Sequence, residues 1–147
     1  MKQPTEEQIN DIRQILESSI EALIQNDSEI FNINIEIPQQ LSENERRLNR
    51  KLHETTINHR LAHYIENNLP NTAFEDYNVD IEYNRYYENQ KGVQTDNGLL
   101  YARPDILIHS RMNQQPDQHI LVAEAKKGEI TQHDISKVRG FISARLR

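Results

Sequence analysis

The sequence predicts an α/β fold: a helix and a strand, then a core in the order helix, three strands, helix. Three observations carry this. Two stretches open with a capping box and continue with apolar residues at helical spacing. Further along, short stretches alternate apolar and polar residues or run apolar at strand length. Proline, glycine and Asp-Asn signals punctuate them.

Thr5 and Gln8 form the first capping box, which predicts a helix over residues 6–25. Ile9, Ile12, Leu16, Ile20 and Leu23 fall on its inward stripe, and Asn26 and Asp27 end it. Ile33, Ile35 and Ile37 alternate with Asn34 and Glu36, a strand pattern stopped by Pro38. Ser42 and Glu45 open a second helix, residues 43–68, that stops before Pro70. Glu54, Ile57, Leu61 and Ile65 share one stripe of it, so Glu54 lies in line with the apolar face. Residues 79–85 alternate as a strand, with Asp80 and Glu82 read as solvated positions. Gly92 and Asp96–Gly98 signal turns. Residues 104–109 and 119–126 are two more strands, split by a loop over 111–118. Thr131 caps a last helix, 132–146, with Ile135, Val138 and Ile142 inward.

The chain has 147 residues and no cysteine, which excludes a disulfide scaffold and a thiolate zinc site and suits a reducing, cytoplasmic setting. Apolar residues make up 35%, below the ~45–50% of an average globular chain, and 15 Asn and 12 Gln fill the gap. The core is therefore small. No apolar run reaches the ~20 residues of a membrane helix, and MKQPTEEQ is not a signal peptide, so no membrane partner is expected. Residues 1–41 hold eight acids against Lys2 and Arg13, while residues 42–147 hold fifteen acids and fifteen Lys/Arg. The overall charge of −6 thus belongs to an acidic N-terminal arm, residues 1–41, attached to a neutral core, residues 42–147. The arm suits a homodimer contact or docking to a partner protein; covering the core is the plainer use of its apolar stripe.

The chemistry gathers at Pro104-Asp105 and Glu124-Ala125-Lys126. In a strand, Glu124 and Lys126 project from the same face, ~6–7 Å apart. Both interrupt an otherwise apolar run, ILVAEAK, where a buried charge needs a cation or a paired group. If the strands pair as a hairpin, Asp105 approaches Glu124. Two carboxylates and the Ala125 carbonyl are a hard oxygen set suited to Mg²⁺ or Mn²⁺, and Lys126 can hold a water or balance developing charge.

This arrangement resembles the PD-(D/E)XK nuclease superfamily, over residues 43–146. The resemblance implies a restriction-endonuclease-like α-β-β-β-α core, a mixed sheet flanked by helices, and metal-dependent phosphodiester hydrolysis of nucleic acid, DNA before RNA. It implies Asp105 and Glu124 as metal ligands and Lys126 as the catalytic lysine. Glu54 matches the acidic residue that many members carry on the first core helix. One departure stands out: the family core continues into a further strand, whereas this sequence ends at Arg147. A fragment, a short sheet or the 33–37 strand in that place would each account for it.

Residues 126–147 carry Lys126, Lys127, Lys137, Arg139, Arg145 and Arg147 against Glu129 and Asp134. Lys127, Lys137 and Arg139, with Arg47 and Arg50 on the first core helix, are candidates for phosphate contacts. Tyr83, Tyr86, Tyr87 and Tyr101 suit base stacking or packing. Structural readings stay open: an edge ion pair for Glu124 and Lys126, a turn residue for Asp105, a helix pair with Arg47, Arg50 or Lys51 for Glu54, a solvated face for the cations. His59 and His63 have zinc-like i, i+4 spacing, but His53-Glu54 fails as HExxH because position 57 is Ile. The alternative to an enzyme is a non-catalytic nucleic-acid-binding or assembly module of the same fold.

Overall fold

The computed structural model describes residues 4–31, 41–83, 85–86, 89–90, 92–95, 98–101, 104–110, 119–125 and 129–143. Helix α1 (Glu6–Asn26) starts at the expected capping box: Thr5 Oγ1 accepts the Gln8 N–H at 3.2 Å, and Gln8 Oε1 accepts the Thr5 N–H at 3.0 Å. Helix α2 (Glu43–Asn67) starts the same way at Ser42 and Glu45. These caps satisfy amide groups that a helix start leaves open, which is why both starts were legible.

The two helices pack antiparallel. Asp27, at the end of α1, accepts from Arg60 Nε at 2.9 Å and from the Tyr64 hydroxyl at 2.7 Å. Ser19 accepts from Asn68 Nδ2 at 3.0 Å, and Asp11 accepts the Ala73 N–H at 3.1 Å. The buried line of α1 is Ile15, Ser19 and Leu23. Ile9 and Ile20, expected inward, are 44% and 45% exposed. The contact is rotated because Ser19 is buried at no cost in unmet polarity: it donates to the Ile15 carbonyl at 2.6 Å and accepts from Asn68. A count of apolar residues alone passes over such a position. On α2 the same shift occurs: Asn58, Ala62 and Ile65 are buried, and Ile57 and Leu61 only partly.

The central sheet is three-stranded, in the order β1 (Asn78–Ile81), β6 (Ile106–His109), β7 (His119–Ala123), antiparallel throughout. This gives an α/β architecture; the parallel strand that would make the sheet mixed is not among the described residues. Two hairpins lie between β1 and β6 in sequence: β2 (Arg85–Tyr86) with β3 (Asn89–Gln90), and β4 (Gly92–Thr95) with β5 (Gly98–Tyr101). Neither was expected, because strands of two to four residues are too short to show a period. Strand β7 stops at Ala123 rather than at residue 126. Its partner β6 begins at Ile106, opposite Ala123, so the backbone ladder has no further rung there.

Helix α3 (Gln132–Ser143) starts at Thr131, whose N–H and hydroxyl both donate to Asp134. Ile135 and Val138 are partly buried; the side chain of Ile142 and the expected strand at 33–37 lie outside what is described. One core joins the parts: Ile15 from α1, Ala62 and Ile65 from α2, Leu69 and Phe74 from the following turns, and Ile106 and Ile108 from β6. Each such large side chain contributes about 1.5–3 kcal/mol of transfer free energy. The acidic N-terminal helix thus covers the core through Ile15, the plainer of the uses read from its apolar stripe. No described helix is long and apolar enough to cross a membrane.

Candidate active site

The sheet has two unlike faces. Ile106 and Ile108 of β6, Val79 and Ile81 of β1, and Leu121 and Ala123 of β7 share the face that packs on α1 and α2. Strand alternation puts Asn78, Asp80, Leu107, His109 and Val122 on the other face. The last rung of β6 and β7 pairs Ile106 with Ala123. Asp105 and Glu124 are the next residues beyond that rung, one on each strand's side.

Asp105 explains why the ladder ends there. Its Oδ2 accepts the Ala125 N–H at 2.7 Å, so a side chain takes the place of a strand carbonyl. The Asp105 carbonyl accepts the Glu82 N–H at 3.2 Å, which carries β1 up to the same point. Glu82 adopts φ 48°, the left-handed region that costs a non-glycine residue about 1–2 kcal/mol. Such strain concentrates where a chain must hold a particular geometry, and here it borders Asp105. Asp105 and Glu124 are partly buried, and Glu124 Oε1 is shielded from solvent. The structure therefore joins the Pro104-Asp105 and Glu124-Ala125 segments at one end of the sheet.

Other expected site residues are placed differently. Lys126 and Lys127 lie outside the described residues. Glu54 is partly buried on α2, the helix that packs on the apolar face through Ala62 and Ile65. Among the described residues, no three His, Asp or Glu side chains form a group that could hold a metal ion. Glu54 therefore does not join Asp105 and Glu124 in such a group. Arg47 and Arg139 are exposed, and the side chains of Arg50 and Lys137 are outside the described set. His59 and His63 are exposed on α2.

Asp80 is not the solvated position its sequence context suggested. Its side chain is 17% exposed, and its Oδ2 accepts from His109 Nε2 at 2.7 Å. His109 is 2% exposed and lies against the Tyr83 ring, with centroids 4.4 Å apart. The His109 signal was present in the alternation of residues 104–109: Asp105, Leu107 and His109 share a face by period 2. The polar face thus carries Asp80 and His109, while the opposite face is wholly apolar at the paired positions. No protein-family model matches the chain, and no curated protein or solved structure matches it either.

Proposed function

We propose that this chain is a metal-dependent nuclease of the PD-(D/E)XK kind, hydrolysing phosphodiester bonds of nucleic acid, DNA before RNA. One observation supports the reading: the Asp105 carboxylate accepts the Ala125 N–H, so the Pro104-Asp105 and Glu124-Ala125 segments, about twenty residues apart in sequence, come together at the end of β6 and β7.

The donor set fits a hard divalent cation. Mg²⁺ is commonly held by one or two carboxylates and keeps several waters, so two carboxylates and the Ala125 carbonyl suffice without a third acid. Bound there, the cation would supply polarisation of the scissile phosphate and a lowered pKa for water. Asp105 would be oriented by its bond to the Ala125 N–H, which fixes one carboxylate oxygen. Glu124 would provide the opposing oxygen. Lys126, two residues beyond Glu124, would hold the attacking water or balance charge on the phosphate. Lys127, Lys137, Arg139, Arg47 and Arg50 would contact backbone phosphates. A cytoplasmic location belongs to the same proposal.

Incubation with linear DNA and with RNA in Mg²⁺ or Mn²⁺, with and without chelator, tests it. Chelator-sensitive cleavage is the expected result. Binding without cleavage in either metal would replace the enzyme with a non-catalytic nucleic-acid-binding module.

A further inference from the structure

His109 is buried on the polar face of the sheet and takes no part in the chemistry proposed above. Its ring touches two residues of one neighbouring segment. His109 Nε2 donates to Asp80 Oδ2 at 2.7 Å, and the ring lies 4.4 Å, centroid to centroid, from that of Tyr83. Those two residues bracket Ile81 and Glu82. Ile81 makes the last rung of β1, opposite Ile106 of β6. Glu82 follows in the left-handed region, at φ 48°. A residue with a Cβ stays there only where its surroundings hold it.

The conformation of Glu82 bears on Asp105. The Glu82 N–H donates to the Asp105 carbonyl at 3.2 Å, and the Ala125 N–H donates to Asp105 Oδ2 at 2.7 Å. Asp105 is therefore gripped through its backbone from the β1 side and through its carboxylate from the β7 side. Pro104, fully buried, fixes the chain just before it. His109 itself stands four residues along the chain from Asp105, about 13 Å at the rise of a strand. It cannot touch a group bound at Asp105 and can act there only through β1.

We propose that His109 is a positioning residue: by holding Asp80 and Tyr83 it keeps Glu82 left-handed, and Glu82 in turn sets Asp105. The consequence for a bound cation rests on the nuclease reading; the grip itself does not. Releasing either flank lets Glu82 relax to an ordinary φ, and the Asp105 carbonyl loses its donor. The fraction of molecules with Asp105 in place then falls, and cation affinity falls with it. The penalty of a left-handed residue corresponds to about 5–30-fold.

Amide hydrogen exchange by NMR on the full chain without metal tests the grip, and Mn²⁺ titration of the same proteins tests its consequence. In His109→Phe and in Tyr83→Leu, the amides of Glu82 and Ala125 should exchange about 5–30-fold faster relative to those of α1, and Mn²⁺ affinity should fall by a similar factor. Tyr83, partly buried, carries the test if His109→Phe does not fold. Adding Glu82→Gly to either variant should bring the Ala125 amide and Mn²⁺ affinity back to within a few-fold of wild type, because glycine takes a positive φ without the grip. A general loss of structure would not be repaired at that position. Unchanged exchange at Glu82 and Ala125 in both variants, or a loss that Glu82→Gly does not recover, would overturn the positioning role. A wild type that binds no Mn²⁺ while exchange follows the expected order would overturn the metal site and uphold the grip.

Discussion

Replacing Asp105 by Asn separates two properties of one side chain: its hydrogen bond to the Ala125 N–H and its charge. The bond is 2.7 Å long and charge-assisted. Bonds of that kind contribute about 1.5–3 kcal/mol and neutral ones about 0.5–1.5, so the loss on going to the amide is about 1 kcal/mol. For a chain of this size, that lowers Tm by about 2–4 °C. The charge matters more once a cation is present. A ligand at a hundred times its Kd stabilises by about 2.7 kcal/mol, which is a rise of roughly 5–10 °C for the wild type. If Asp105→Asn loses affinity a hundredfold, the same cation concentration leaves about 0.4 kcal/mol, under about 2 °C. Thermal melts of both proteins with and without Mn²⁺, backed by calorimetric titration, give both numbers. An Asn variant that keeps the full cation-induced rise would remove Asp105 from the ligand set, and with it the reason for pairing it with Glu124.

Two further outcomes follow from the described contacts. His109→Gln or Asp80→Asn alone should cost about 1–3 kcal/mol in chemical denaturation, because each removes one side of a shielded 2.7 Å bond, and the double variant should cost less than the sum of the two; additive losses would mean that the two side chains do not depend on each other. Asp27 is held below the ordinary carboxylate value, first by the Tyr64 hydroxyl and then by Arg60. A lowered folded-state pKa means that its stabilising effect is complete above the unfolded value and is lost as pH falls through the folded one. Stability should therefore be flat above about pH 5 and fall below about pH 4 more steeply in the wild type than in Asp27→Asn; identical acid limbs in the two melts would contradict this.

The helix starts were legible because Thr5 with Gln8 and Ser42 with Glu45 encode their own local bonds. The faces were not, because Ser19 and Asn58 are polar residues on buried lines. Whether such a residue goes inward depends on a partner distant in sequence, such as Asn68 for Ser19. The pairing of the two strands that precede and follow the 111–118 stretch was the one assumption behind bringing Asp105 towards Glu124, and the antiparallel register of β6 and β7 shows that pairing. The early end of β7 did not follow, because it depends on Asp105 taking the Ala125 N–H with its side chain. His109 was missed because its importance lies in Asp80, 29 residues away and on another strand.

Cleavage by the wild type and by Lys126→Ala, compared in the same Mg²⁺ assay on DNA, tests the nuclease reading most directly. Lys126 follows Glu124 by two residues, and removing one electrostatic stabiliser in a water-poor site costs ~3–4 kcal/mol. The account predicts wild-type cleavage that falls about 10²–10³-fold in Lys126→Ala, with Mn²⁺ binding largely retained. Equal cleavage by the two proteins, or none by the wild type, would contradict it.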